Sequence, residues 1–306
     1  MLNKGTLLYQ SPFAKLLMIF IVVFFSTIII SLALIAVAIP VAGIDTIKSF
    51  ITGESISLAF IKYLQAVNGI ALFIVPSLVL AWLFSEKPKL WLGFRPITLS
   101  SLLFSVALFL VCQPLATQLA QINEGISLPD FIKPLETWMQ DEETLRNNMI
   151  FQILDSRNPW AVFGNFLIIV LLPALGEEML FRGTLQPVLA QLTRSNHAAV
   201  WITAFLFSAM HIQFLTFLPR FVLGLLLGYL LVYGKNIWYS IAGHFTNNLL
   251  SLVIFYYYRL TKPGFNPMDA ESTVYPPWMV ISSIALAGAL YYLIIKKQKK
   301  QELARL

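Results

Sequence analysis

Cysteine is all but absent from this chain: Cys112 is the only one. A single thiol excludes an internal disulfide and any cysteine-based metal cluster. Charge is scarce as well, at 12% of 306 residues, about half the roughly 25% of a soluble domain. Histidine occurs three times, at His197, His211 and His244, and no His-Glu-x-x-His is present. That removes the helix motif that brings two zinc-binding imidazoles onto one face. Internal repeats, low-complexity stretches and a polar segment long enough for a separate soluble domain are missing too. One integral membrane domain over residues 1–306 is the expectation.

What the chain has in abundance is uncharged apolar sequence, with 58% hydrophobic residues. A membrane-spanning helix needs about 20 such residues. Runs of that order cover Leu16 to Ile44, Tyr63 to Ser85, Ile97 to Asn123, Asn158 to Gly176, Ser195 to Pro219, Asn236 to Tyr258 and Ser272 to Ile295. An eighth, between Arg220 and Lys235, reaches spanning length if it begins near Phe217 and Arg220 snorkels to the interface. The prediction is therefore an all-α, polytopic membrane protein with about eight transmembrane helices. The first run is about twice the 7–15 residues of a signal-peptide core, and a retained helix is expected there.

The net charge of +6 sits at helix ends rather than along one soluble face, which argues against a nucleic-acid partner and marks topology instead. The basic tail from Lys296 to Lys300 predicts a cytoplasmic C-terminus in contact with anionic lipid. An even number of helices puts the N-terminus, with Lys4 and Lys15, on the same side. Between the third and fourth runs, Gln121 to Arg157 is longer and acidic. Within it Leu135 to Leu154 has the pattern of an amphipathic interfacial helix, with Asp141-Glu142-Glu143 expected to be a solvated face.

One charged stretch breaks the pattern. Gly176-Glu177-Glu178-Met179-Leu180-Phe181-Arg182-Gly183 places two adjacent carboxylates and an arginine at the end of an uncharged run. A carboxylate at membrane depth costs roughly 2.5–3.5 kcal/mol on insertion scales, so such a group faces a protein interior or a water-filled cavity and marks a function. On a helix Glu178 and Arg182 stand at i,i+4, where carboxylate and guanidinium meet. Glu177 points about 100° away and is left free to work. The helix is expected to continue to Leu185, with Pro187 bending or ending it.

Two histidines fall inside apolar segments, the fifth and the seventh. His211 has Phe207 four residues before it, and His244 has Asn248 four residues after it. Each polar residue taken singly reads as a helix-bridging hydrogen bond; an intramembrane concentration of carboxylates, arginine, imidazoles and asparagine reads as one shared site. His197, beside Arg194 and Asn196, reads as interfacial. Glu177 reaches the depth of His244 only if its helix runs past Gly183 toward Leu189. Gly224-x-x-x-Gly228 has the small-xxx-small spacing that lets helices approach closely.

Glu177-Glu178-x-x-x-Arg182, Phe207-x-x-x-His211 and His244-x-x-x-Asn248 resemble, in order, the three motifs of the CAAX protease and bacteriocin-processing family of intramembrane endopeptidases, which includes the Ras-converting CAAX endopeptidase. The motif-bearing core covers residues 160–253. The resemblance implies peptide-bond hydrolysis with Glu177, Glu178, Arg182, His211, His244 and Asn248 as the catalytic set. Glu177 would activate a water assisted by His211, His244 and Asn248 would stabilise the oxyanion, and Glu178 with Arg182 would hold the helix and its charge in place. The family's usual classification implies zinc or another divalent metal, with Glu177, His211 and His244 as candidate ligands; the same side chains also suit a metal-free, glutamate-driven hydrolysis. The partners implied are membrane lipid and a peptide substrate, either lipidated and CAAX-like or a leader peptide.

Two other functions fit intramembrane glutamate and histidine: a proton- or ion-coupled transporter, and a catalytically silent scaffold or immunity protein on the same fold. Against the transporter stands the lack of interrupted helices paired across two halves of the chain. Against the scaffold stands the completeness of the motifs.

Overall fold

A bilayer leaves backbone N–H and C=O groups no partner outside their own segment, which selects the helix. The computed structural model describes residues 3–52, 57–156, 158–262 and 274–303, and among these there is no strand. Of the expected boundaries, Arg157 and Ser272 lie outside the described residues. The principal helices are α1 (Pro12–Ala42), α2 (Leu58–Phe84), α3 (Leu99–Glu124), α4 (Lys133–Leu154), α5 (Pro159–Thr193), α6 (Asn196–Ala209), α7 (Phe217–Gly234), α8 (Ile237–Thr261) and α9 (Pro277–Leu303). The predicted amphipathic segment is α4; every apolar run contributes one of the others.

Six of these, α1, α2, α3, α5, α7 and α9, are long and apolar enough to cross a membrane. Three are not: the amphipathic α4, and α6 and α8, which carry or adjoin the candidate histidines. With 14 residues, α6 rises about 21 Å, short of the roughly 30 Å hydrocarbon core. Helix α8 has 25 residues and adequate length. Its Ser240, His244, Thr246, Asn247, Asn248 and Ser251 dilute its apolar character.

Prolines shape the interrupted helices. Ile70–Ile74 in α2 and Phe166–Leu171 and Phe181–Leu185 in α5 are π-helical, and each stretch ends two residues before a proline, Pro76, Pro173 or Pro187. A proline lacks the N–H its helix needs and presses on the carbonyl four residues back; a widened turn relieves that contact. Pro187 therefore does not end α5, which leaves bending as the one of the two expected outcomes compatible with the helix. The helix runs on to Thr193 and stops at Arg194, whose φ of 55° is left-handed.

The central pair is α5 and α8, which touch each other; α5 also packs on α2 and α6, and α8 on α3 and α7. On one flank α1 leans on α2 and α5, and on the other α9 leans on α3 and α7. Phe20, Phe24 and Leu32 of α1 and Trp278, Ile281 and Leu286 of α9 stay exposed. In water such surface would be a liability; on flanking helices it is what lipid contact requires.

Close approach of α7 comes from its glycines. A Cβ on Gly228 would lie 2.9 Å from both Gln186 Oε1 and Val200 Cγ1, and one on Gly224 3.3 Å from Ala204 Cβ. The bare backbone exposes two carbonyls one turn apart. Gly224 O accepts from Arg182 Nη2 at 3.1 Å and Gly228 O from Gln186 Nε2 at 3.1 Å.

Candidate functional site

The site is built outward from the ion pair that the helical spacing predicts. Arg182 Nη1 donates to Glu178 Oε1 at 3.0 Å, and both side chains are fully buried. Burying two charges is repaid only when further hydrogen bonds satisfy them; here several are supplied, while Glu178 Oε2 and Arg182 Nε bond no protein group. Glu178 Oε1 also accepts from His244 Nδ1 at 2.8 Å, Arg182 reaches Gly224 O, and the guanidinium lies 4.4 Å from the centroid of the Phe207 ring. Glu178 thus ties α5 to α8, and Arg182 ties α5 to α7.

Glu177, on the neighbouring face of α5, is held differently. Its Oε2 has no hydrogen-bond partner in the protein and stands 3.9 Å from His211 Nε2 and 3.9 Å from His244 Nε2. Both rings have a defined tautomer when neutral. His211 Nδ1 is 2.8 Å from Phe207 O, which can only accept, so the proton sits on Nδ1; the Glu178 carboxylate imposes the same on His244. Each Nε2 then offers a lone pair toward Glu177. Three acceptors facing one point call for a donor between them, a water or a proton.

His211 is brought there by a turn that the sequence conceals. It lies two residues beyond the end of α6, not inside a fifth spanning helix as the apolar run suggests. Ile212 follows with φ of 51°, a conformation unfavourable for a β-branched residue that persists only where the surroundings impose it. Arg220 does not snorkel away: its Nη2 donates to Gln213 Oε1 at 2.8 Å and Thr216 Oγ1 at 3.1 Å. Glu143 is buried rather than solvated, accepting from Leu215 N at 2.8 Å. Asn123 donates to Phe214 O at 2.8 Å and accepts from Leu218 N at 2.7 Å. From sequence, Glu143 reads as part of a solvated face, Arg220 as a snorkelling interfacial residue and Asn123 as the end of an apolar run, because the partners of all three lie in the turn after α6.

Asn248 sits one turn along α8 from His244, with Nδ2 at 3.4 Å from Ile169 O. Ile169 is four residues before Pro173, so its carbonyl lacks the usual helical donor. His197 lies apart from the cluster, exposed, with Nδ1 3.0 Å from Tyr229 Oη.

Glu177, His211 and His244 are donor types of a catalytic zinc site, and each imidazole has its far N–H anchored as metal-binding histidines do. Their spacing does not suit the ion. Among the described residues no group of three or more His, Cys, Asp or Glu is placed to hold a metal. Donors 3.9 Å apart would subtend about 140° at zinc with bonds of about 2.05 Å, against about 109° for a tetrahedron. With hydrogen bonds of about 2.8 Å they subtend about 90° at a water, an ordinary angle.

Residues 158–250, under a third of the chain, match the family model described as Rce1-like, type II CAAX prenyl endopeptidase. No curated protein and no solved structure matches the chain. The matched segment contains Glu177, Glu178, Arg182, His211, His244 and Asn248, and over that segment the chain is similar to the type II CAAX prenyl endopeptidases that the model describes.

Proposed function

We propose that the chain hydrolyses a peptide bond in a membrane-associated substrate, with Glu177 as general base on a water. The convergence of Glu177 Oε2 with the Nε2 atoms of His211 and His244, at 3.9 Å each, is the observation that carries this reading. The water oxygen attacks the scissile carbonyl carbon while its proton passes to Glu177, with His211 as the second acceptor fixing the water's orientation. The new C–O bond makes a tetrahedral oxyanion, and the C–N bond breaks as Glu177 passes the proton it took from the water to the leaving amine. The remaining N–H of Asn248 donates to the oxyanion, and His244, held in place by the Glu178 carboxylate at Nδ1, does so from Nε2 in whichever state carries a proton there. Glu178 and Arg182 act as positioning residues. No step is routed through a metal, because the donor spacing does not accommodate one.

A membrane-associated substrate is supported by an apolar groove of about 530 Å³ between α5 and α8, lined by Val162, Phe166, Leu252 and Tyr256. Leu252 and Tyr256 continue the face of α8 that carries His244 and Asn248. An extended lipidated or transmembrane peptide with its scissile bond at His244 would rest its apolar portion there.

Purified protein in bilayer nanodiscs, offered a panel of labelled lipidated and transmembrane peptides, tests the proposal. Wild type should cleave at least one, and Glu177→Ala and His244→Ala should cleave none while remaining inserted. Metal bound stoichiometrically to wild type and lost in both variants would overturn the metal-free step. Ion flux that depends on Glu177, with no cleavage of any peptide, would favour a transporter.

A further inference from the structure

We propose that Glu143, on the amphipathic helix α4, is a positioning residue for His211; this rests on the proposed hydrolysis and extends it to an element outside the three motifs. His211 sits on a turn, and a turn alone does not fix a side chain within the few tenths of an ångström that proton transfer needs. The turn from His211 to Thr216 is held from outside. Glu143 Oε2 accepts the Leu215 N–H at 2.8 Å and its Oε1 lies 3.4 Å from Thr216 Oγ1. The Trp138 ring of the same helix packs against Phe214 at 5.7 Å between centroids. Asn123, at the end of α3, takes the other side of the turn by bonding Phe214 O and Leu218 N. Glu143 and Asn123 are both buried, so water does not compete for these bonds.

The left-handed Ile212 is the position where release of the hold would be felt first, and it adjoins His211. Freed of Glu143, the turn relaxes toward an ordinary backbone conformation and carries the imidazole away from Glu177. Glu178, Arg182 and His244 have no contact with this turn among their described bonds and keep their places. The effect falls on one histidine of the pair.

Full-length wild type, Glu143→Gln and Glu143→Ala in nanodiscs test this by ring-nitrogen NMR of the three histidines, hydrogen exchange of the Leu215 amide and cleavage kinetics. Glu143→Ala should shift the His211 signal and leave that of His197, speed Leu215 exchange at least tenfold, and lower kcat about tenfold or more with KM within twofold. Glu143→Gln keeps an acceptor for Leu215 and should restore all three. An unchanged His211 signal and unchanged exchange in Glu143→Ala would overturn the proposal. So would a Gln variant as impaired as the Ala variant, which would assign the effect to the charge acting on Arg220. Should Glu143→Ala fail to fold, Asn123→Ala removes the second hold and should move the same His211 signal. If wild type cleaves nothing, hydrolysis is refuted while the signal and exchange still decide the role of Glu143.

Discussion

Adjacent carboxylates stand in two long helices of this chain, Glu177-Glu178 in α5 and Glu142-Glu143 in α4, and helical geometry splits both pairs. Neighbours on a helix diverge by about 100°, so one member turns inward and is bonded while the other is left over. In α4 the inward member, Glu143, is satisfied by the backbone N–H of Leu215, and the outer one, Glu142, meets Arg146 at 3.6 Å with both side chains about a third exposed. In α5 the inward member, Glu178, is bonded through Oε1 by an arginine and a histidine, and its neighbour meets two imidazoles in place of solvent. The pattern that yields a solvated surface pair in one setting yields a reactive carboxylate in the other. What differs is the surroundings of the second glutamate.

The largest effect is expected where the α5 pair is broken. Arg182→Ala leaves Glu178 buried beside only a histidine, and should lower stability by about 3–5 kcal/mol, read as thermal unfolding in nanodiscs. Overpacking the same region comes next. Gly228→Ala puts a methyl group 2.9 Å from Val200 Cγ1 and Gln186 Oε1 and should lower stability by about 1–3 kcal/mol. The mildest change belongs to α4: Arg146→Ala removes only the half-exposed partner of Glu142 and should alter stability by less than about 1 kcal/mol. A loss in Arg146→Ala matching that in Arg182→Ala would erase the distinction between the two helices.

Much of the α5 pair was legible in the sequence, because i,i+4 spacing is a property of the helix and needs no tertiary information. The turn at His211 was not. The run from Ser195 to Pro219 has no charge and no glycine to mark a stop, and the reversal after Ala209 rests on Asn123 and Glu143, which are remote in sequence. For the same reason Glu143 read as a solvated face: its partner is a backbone amide 72 residues away, invisible to residue-type reasoning. Pro187 left bending and ending of the helix equally open. A proline signals a break in a regular helix, but the π-turn Phe181–Leu185 absorbs it, and nothing in residue type announces such a turn. The triad of Glu177, His211 and His244 was legible as motifs, whereas the direction of each imidazole depends on the carbonyl of Phe207 and the carboxylate of Glu178.

The division of labour between the two α5 glutamates is tested most directly by Glu177→Gln and Glu178→Gln, each measured for cleavage of the best wild-type substrate and for thermal unfolding in the same nanodiscs. Glu177→Gln should lose about 10²-fold or more in kcat, as expected for a missing general base, and unfold within about 1 kcal/mol of wild type, since its reactive oxygen bonds no protein group. Glu178→Gln should unfold far more easily, because it leaves the buried Arg182 without its counter-charge. Wild-type cleavage by Glu177→Gln, or wild-type stability of Glu178→Gln, would contradict that division.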